Sequence, residues 1–121
     1  MPSNASRGAY YKARTRKWLA GLGYQVVDLE VVRWVHRPGG AGVPVKRDQL
    51  GSDLMGVRAD HLVFIQVKGG AQAAGDGQFP SARREFEKYR FPRWAHVWIV
   101  AWAPRARAPR VVRVQEGRAA E

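Results

Sequence analysis

The sequence contains no cysteine, comparatively few acidic residues and no long hydrophobic run, and each absence narrows the possible function. Without cysteine the chain has neither disulfides nor thiolate metal ligands, which favours a cytoplasmic protein. The longest apolar runs, at residues 62–65 and 97–103, are far shorter than the roughly 20 residues that cross a bilayer. The segment 1–7 lacks the apolar core of a secretory signal. We therefore expect a cytoplasmic protein that has no membrane partner.

Basic residues greatly outnumber acidic ones. The 21 Lys and Arg residues stand against 10 Asp and Glu residues, which gives a formal net charge of +11. A small domain with this excess has a surface field suited to a polyanion, and nucleic acid is the commonest one. Two alternatives are a device for solubility and a protein of anionic membrane surfaces, for which one amphipathic basic helix is typical. Because the cations are spread along the whole chain, we expect nucleic acid.

The length and composition are those of one packed domain. The chain has 121 residues, of which 45% are apolar, so it can bury one hydrophobic core and is unlike a disordered chain. We expect a single domain over residues 1–121, with flexible tails at residues 1–5 and 116–121.

Hydrophobic spacing predicts two helices and five strands. Residues 6–22 have apolar side chains at helical spacing, with Gly23 as the C-cap, and residues 80–89 suit a second helix. Glycine-rich segments at 37–44 and 71–77 predict loops. The predicted strands cover residues 24–35, 53–57, 62–68, 95–103 and 111–115. The order α-β-β-β-α-β-β predicts an α/β fold with a mixed sheet flanked by helices.

The segment 95–103 admits two interpretations. Trp94, Trp98 and Trp102 recur every four residues, which is close to helical spacing. The same run is bounded by prolines and is nearly continuous in Val, Ile and Trp. The second feature is typical of a central strand that is buried on both faces, and we expect a strand.

Three polar side chains fall on two neighbouring strands of the predicted sheet. Alternate residues of a strand share a face, so Gln66 and Lys68 point the same way at the end of an otherwise apolar strand. Asp53, on the preceding strand of the hairpin, is expected to lie alongside them. This grouping predicts a functional site.

These residue types fit the hydrolysis of a phosphodiester bond. At neutral pH that reaction uses a divalent cation, which binds a non-bridging oxygen and lowers the pKa of a water molecule. Because Mg²⁺ prefers oxygen ligands, we expect Asp53 to supply a carboxylate, Gln66 its amide oxygen and Val67 its backbone carbonyl. Lys68 would position the attacking water or stabilise charge in the transition state.

Asp53, followed by Gln66-Val67-Lys68 on the next strand, resembles the D…(D/E)xK core of the PD-(D/E)xK nuclease superfamily. The Ile-Gln-Val-Lys-Gly-Gly sequence that begins at Ile65, the basic first helix and the single-domain length are similar to archaeal and phage Holliday junction resolvases. The resemblance covers roughly residues 6–103 by element order, and its specific motif is about four or five residues. It implies a restriction-endonuclease-like fold, a requirement for Mg²⁺ or Mn²⁺, and a two-fold homodimer that cuts two strands of branched DNA. A prokaryotic, archaeal or phage-encoded protein would follow.

Two positions depart from the family pattern. Gln66 stands where the family has an acid, and an amide binds metal without neutralising charge. The acid of the family's first helix would fall near Tyr11 or Lys12, neither of which is a carboxylate. A site whose only carboxylate is Asp53 should hold Mg²⁺ weakly in the absence of phosphate. The acids considered as substitutes are Glu30, Glu85 and Glu87.

The phosphate-binding cations are expected on both helices and before the hairpin. Contacts to the backbone alone suit recognition of DNA shape, because they position a duplex without reading its sequence. For the pair on the second helix, a solvated helix face is an equal alternative. The residues assigned to the DNA backbone are Arg7, Lys12, Arg16, Lys46, Arg47, Arg83 and Arg84.

Other interpretations stay open. The chain is expected to resolve four-way junctions, and the alternatives are a DNA-binding module with a decayed nuclease site or another PD-(D/E)xK nuclease of restriction or repair type. Asp53 alone would also suit a turn cap, and Gln66 with Lys68 a solvated strand face. A zinc site is not expected, because no ligand spacing relates His36, His61 and His96.

Overall fold

A computed structural model of the chain describes residues 4–36, 38–40, 42–48, 50–70 and 79–118. Two helices and seven strands are described, so the fold is α/β, as the sequence predicts. In chain order they are α1 (Asn4–Gly21), β1 (Gln25–Asp28), β2 (Glu30–Val35), β3 (Val43–Asp48), β4 (Leu54–Arg58), β5 (His61–Gly69), α2 (Pro80–Glu87), β6 (His96–Trp102) and β7 (Arg110–Gln115).

Five of the strands form one mixed sheet in the order β1-β4-β5-β6-β7. β4 and β5 form an antiparallel hairpin, whereas β5 and β6 run parallel because α2 crosses over between them. β7 returns antiparallel to β6. At one end of the sheet, called the upper end below, β5 and β6 stop while β4 and β7 start. The opposite end, where β5 and β6 start, is the lower end.

The predicted strand at 24–35 is wrong as a single element, because it is divided between two sheets. β1 pairs with β4, whereas β2 pairs with β3 in a separate two-stranded sheet. The chain turns between them because the Oδ1 atom of Asp28 accepts the N–H of Glu30 at 2.9 Å. The loop predicted at 37–44 is shorter, since β3 begins at Val43. Apart from this additional pair, the elements follow the predicted order.

One face of the sheet packs against α1 around a core that contains Leu19, Ile65, Trp98 and Val100. Thr15 is fully buried in this helix, and its hydroxyl accepts the indole N–H of Trp102 at 2.9 Å. The same hydroxyl donates to the carbonyl of Tyr11 at 2.8 Å. The Thr15 hydroxyl and the Trp102 indole are therefore paired in the core. The run at 95–103 is a strand and not a helix.

The other face of the sheet packs against α2. Ala82 and Phe86 of the helix meet Val97 and Ile99 of β6. Pro80 starts the helix, where its missing N–H costs nothing. Each face of β5 thus has its own helix, and the direction of a β5 side chain determines which helix it faces.

The ends of the described chain take part in the fold. α1 begins at Asn4, and the backbone N–H groups of Gly117 and Arg118 donate to the His96 ring and to the Arg93 carbonyl. Among the described residues, no helix combines the length and apolar character that a membrane crossing requires.

Candidate functional site

Asp53 stands directly before β4, against the upper end of β5. Its backbone N–H donates to the Ile65 carbonyl at 2.8 Å, and its Oδ2 atom accepts the N–H of Val67, also at 2.8 Å. Val67 lies between Gln66 and Lys68 in the predicted motif. The carboxylate and the motif are therefore in direct contact.

The alternation of β5 assigns its side chains to two faces. Val67 packs on the core beneath α1, whereas the Phe64 ring lies 4.8 Å from the Phe91 ring on the α2 side. Gln66 and Lys68 share the face of Phe64 and point toward the α2 side. The sequence predicts this common direction of the two polar side chains.

The Val67 carbonyl points to the same side of β5 as the Asp53 carboxylate. A strand residue directs its N–H and its carbonyl toward the same neighbouring strand, and the Val67 N–H points to Asp53. β4 does not extend this far, because its first residue, Leu54, pairs with Ile65. A carboxylate and a backbone carbonyl thus border the same part of the strand edge.

The amide oxygen of Gln66 is buried and has no hydrogen-bond partner among the described residues. Leaving a buried acceptor unpaired costs on the order of 1–3 kcal/mol, so such a group calls for a water molecule, an ion or a ligand. This amide oxygen, the carboxylate of Asp53 and the carbonyl of Val67 are each hard oxygen donors of the kind that Mg²⁺ and Mn²⁺ prefer.

The donor set is small. The described residues contain no group of three His, Cys, Asp or Glu side chains that could hold a metal ion. A divalent cation beside Asp53 would therefore take most of its ligands from water and phosphate, which Mg²⁺ commonly does.

The hydrogen bond from Val67 to Asp53 also has a structural use. It pairs a backbone N–H at a place where β4 has ended, so it supports the alternative that Asp53 caps the sheet. The two uses are compatible, because an ionised carboxylate offers about four lone-pair sites on two oxygens.

Two of the cations predicted to bind phosphates are held by acids of the same chain. The Nζ atom of Lys12 lies 2.8 Å from Asp28 and 3.5 Å from Glu30, and Arg16 lies 2.9 Å from Asp28. Phosphate would have to compete with these carboxylates. Near the position predicted for an acid on the first helix, at Tyr11 or Lys12, α1 presents the Lys12 cation, and Glu30 contacts it.

Lys12 and Asp28 of this cluster are both charged at neutral pH. Burial lowers the pKa of Lys12, but the hydrogen bond to Asp28 and the charge of Glu30 outweigh it, so the pKa is raised. Burial raises the pKa of Asp28, but hydrogen bonds from Lys12 and from the Glu30 N–H outweigh it, so the pKa is lowered.

Of the three acids considered as substitutes, Glu30 and Glu85 both lie near the segment that carries Asp53. Glu30 follows Leu29, whose N–H donates to the Asp53 carbonyl at 3.0 Å. A Cβ atom added to Gly51 would lie 3.4 Å from Cγ of Glu85, and Gly51 precedes Asp53 by two residues. Glu85 pairs with Lys88 at 2.9 Å, whereas Glu87 is exposed on the same helix. A carboxylate from α2 is therefore available near the chain segment that carries Asp53.

The remaining predicted phosphate ligands are less defined. Arg84 is exposed on α2, and Arg83 is half-buried there. The side chains of Arg7, Lys46 and Arg47 lie outside the described part of the structure, so their assignment stays a prediction.

The sequence reasoning missed the cations that follow β6. Arg105, Arg107 and Arg110 lie in or next to the β6–β7 loop at the upper end of the sheet. The available signal was the Pro-Arg-Ala-Arg-Ala-Pro-Arg segment that starts at Pro104, directly after the predicted central strand. Ligands of α/β proteins commonly bind beyond the carboxyl ends of such strands.

Two of the histidines lie at the lower end of the sheet, away from Asp53. The rings of His61 and His96 are stacked with centroids 3.8 Å apart and an interplanar angle of 7°. Burial and the neighbouring His61 lower the pKa of His96. The stack joins the first residues of β5 and β6 and has no part in the candidate site.

Comparison with known proteins adds no relative from which residue roles could be transferred. No family model, no curated protein and no solved structure matches the chain.

Proposed function

We propose that the chain is a metal-dependent DNA endonuclease whose site is formed by Asp53, Gln66, Val67 and Lys68. The observation that carries the proposal is the contact of the Asp53 carboxylate with the Gln66-Val67-Lys68 segment, next to a buried amide oxygen that has no described partner. The donor chemistry and the basic net charge of +11 support the same assignment.

In this mechanism Asp53 and the Gln66 amide hold the cation, with the Val67 carbonyl as a further ligand. The bound cation supplies Lewis acidity and a water of lowered pKa. Lys68 shares its strand face with Gln66, so its ammonium group is directed to the side on which the amide oxygen lies. There it orients the water or donates hydrogen bonds to the phosphate oxygens as negative charge develops on them.

The proposed substrate is branched DNA, and the four-way junction is the leading candidate. A junction offers two related strands for cleavage, which a two-fold homodimer matches by symmetry. The support for this finer assignment is the sequence resemblance to Holliday junction resolvases together with the excess of basic residues.

Cleavage of a labelled four-way junction in the presence of Mg²⁺ or Mn²⁺ tests the enzyme. Lys68→Ala should reduce the rate of cleavage at least about 100-fold with junction binding retained, because it removes stabilisation of the transition state. Lys88→Ala, on the exposed surface of the protein, is the matched control and should cleave like wild type. A wild-type protein that binds the junction but never cuts it would reject the proposal.

A binding module with a decayed nuclease site is the second candidate. The observation that favours it is Lys12, a cation at the position of the expected helix-one acid, paired with Asp28 and Glu30. Such a protein binds the junction equally well with a chelator and with Mg²⁺, and Lys68→Ala has no activity to remove.

A comparison of cleavage of a junction, a linear duplex and a single strand separates a junction resolvase from a restriction or repair nuclease.

A further inference from the structure

We propose that the β6–β7 loop, residues 103–109, together with Arg110, is the surface that holds the DNA backbone beside the candidate site. The loop starts where β5 ends, because Gly69 pairs with Trp102 and the Gly70 N–H donates to the Trp102 carbonyl at 3.0 Å. Neighbouring strands are about 4.8 Å apart, so the loop begins one strand spacing from the end of β5, two residues beyond the row of Lys68. The inference rests on the proposed function only for its occupant, which is DNA.

The sheet itself aligns a loop cation with Lys68. In the strand register Lys68 pairs with Ala101, and Ala101 pairs with Arg110, so the three residues form one row on the α2 side of the sheet. The guanidinium of Arg110 lies 6.0 Å from the centre of the Phe79 ring at the start of α2. Lys68 and Arg110 thus lie on either side of Ala101. Their Cα atoms are about two strand spacings, or roughly 10 Å, apart.

The two arginines within the loop are exposed to solvent. Arg105 and Arg107 have no ion-pair partner among the described residues, and residues 103–110 include no acid. Some exposed cations elsewhere are neutralised locally, as Lys88 is by Glu85 and Arg113 by Glu116. Among the described residues, no acid therefore pairs with the positive charge of Arg105 and Arg107, which suits a polyanion.

The loop has a built anchor that holds its cations in place. The guanidinium of Arg14 stacks 4.2 Å from the Trp102 ring and donates to the Ala106 carbonyl at 2.9 Å. The Ala106 N–H donates to the Ala103 carbonyl at 3.1 Å, and Arg105 adopts a left-handed conformation with φ 63°. A non-glycine residue in that region costs on the order of 1 kcal/mol, which the anchor offsets. We assign Arg14 as a positioning residue for the loop.

The chemistry of the loop selects DNA as the occupant. A guanidinium donates parallel hydrogen bonds that match phosphate geometry, and such contacts carry no base information. Residues 103–110 are only Ala, Pro and Arg, so the loop offers neither an aromatic ring for base stacking nor a large apolar side chain for insertion into a bilayer. Contact with the sugar–phosphate backbone is what remains.

The test compares two double variants that each remove two exposed arginines. Arg105→Ala with Arg107→Ala alters the loop, and Arg90→Ala with Arg93→Ala removes the same charge before β6, at the lower end of the sheet. Binding of a labelled junction is measured in a chelator, so that catalysis does not enter. The loop variant should weaken binding at least tenfold at 150 mM salt and reduce the slope of log K against log salt by about 1.8, or about 0.9 for each phosphate that is no longer neutralised. The control should bind within about threefold of wild type.

Equal weakening in both variants, or wild-type binding by the loop variant, overturns the inference. Anionic vesicles provide a second arm: if the loop variant loses vesicle binding but keeps junction binding, the occupant is a membrane and the inference is wrong. Arg14→Lys, which keeps the charge, should weaken junction binding with a smaller change in salt slope than the loop variant; unchanged binding would remove its positioning role. If the wild-type protein binds the junction through the loop but never cleaves it, the proposed nuclease function is refuted and the inference about the loop stands.

Discussion

Asp53 contributes both an acceptor and a charge, and these two contributions can be separated. The acceptor pairs the Val67 N–H at the end of the sheet, and the charge is what a cation requires. Its contact with the backbone between Gln66 and Lys68 is a local geometric fact on which the candidate site depends.

Asp53→Asn keeps an acceptor oxygen and removes the charge. We expect the free energy of unfolding of the variant to lie within about 1 kcal/mol of the wild-type value. Its rate of junction cleavage should fall at least about 100-fold. Asp53→Ala should additionally lose about 1–2 kcal/mol, because the Val67 N–H is left unpaired. Chemical denaturation and a cleavage assay measure the two effects. Full cleavage by the Asn variant would contradict a metal-binding role, and an Ala variant as stable as wild type would contradict the cap.

Gln66→Glu replaces the amide of the proposed metal ligand with a carboxylate. The second carboxylate neutralises more of the charge of a divalent cation, so the variant should need less Mn²⁺ for half-maximal cleavage. Without metal the two neighbouring carboxylates repel, and the melting temperature should fall. Thermal melts across a Mn²⁺ titration measure both effects. A variant whose melting temperature does not respond to Mn²⁺ would show that the Gln66 side chain is away from any cation.

Lys12 and Arg16, which are predicted to bind phosphates, form ion pairs with Asp28 within the fold. Asp28→Asn keeps an acceptor for the Glu30 N–H but removes the charge that both cations contact. The variant should therefore bind junction DNA more tightly, and Lys12→Ala should change the affinity less than the loop variant does. Fluorescence anisotropy measures these affinities. An Asp28→Asn variant that binds junction DNA no more tightly than wild type would contradict this prediction. It would indicate that Lys12 and Arg16 already contact DNA in the wild type.

Elements with a clear pattern were predictable from the sequence. The β4–β5 hairpin follows from two apolar runs joined by a short turn, and β6 follows from a continuous apolar run bounded by prolines. The contact of Asp53 with the next strand follows from the same hairpin.

Elements that depend on distant partners were not predictable. β1 and β2 appear as one run of residues with high strand propensity, and they separate because Asp28 caps Glu30 and pairs with Lys12 and Arg16 of α1. The position of the β6–β7 loop beside β5 depends on the parallel register, which a single sequence does not specify. The ion pairs of Lys12 and Arg16 with acids of β1 and β2 were not predictable for the same reason.

The His61–His96 stack makes the lower end of the sheet sensitive to pH. Burial, His61 and Arg113 lower the pKa of His96, Glu116 raises it, and the net shift is downward. The unfolded chain then binds the proton first as the pH falls, so stability should decrease from about pH 7.5 to about pH 5.5, around the unfolded pKa near 6.5. Melting temperatures of wild type and His96→Gln measure this decrease, which should be smaller in the variant. His36→Gln, an exposed control, should follow wild type.

The molecule as a whole distributes its charge unevenly between paired and unpaired cations. The net charge of +11 comes from the sequence, but the sequence does not tell which arginines are neutralised by neighbouring acids. On α1, acids of β1 and β2 hold Lys12 and Arg16, whereas Arg105 and Arg107 at the upper end have no described ion-pair partner. The side of the molecule that carries Asp53 is therefore the side expected to meet DNA.

At the scale of the whole molecule, we predict that the protein acts on the junction as a homodimer. If each protomer cuts one strand of the junction, the protein–junction complex should contain two copies of the chain, and its mass measures this directly. A complex with one copy that still makes paired cuts would contradict the symmetric scheme.

The most direct measurement is anomalous diffraction from a crystal soaked in Mn²⁺. The account predicts a peak about 2.1–2.2 Å from an Asp53 carboxylate oxygen, from the Gln66 amide oxygen and from the Val67 carbonyl, with water or phosphate completing the shell. A peak elsewhere, or a Gln66 amide oxygen satisfied by an ordinary hydrogen bond with no ion beside Asp53, would contradict it.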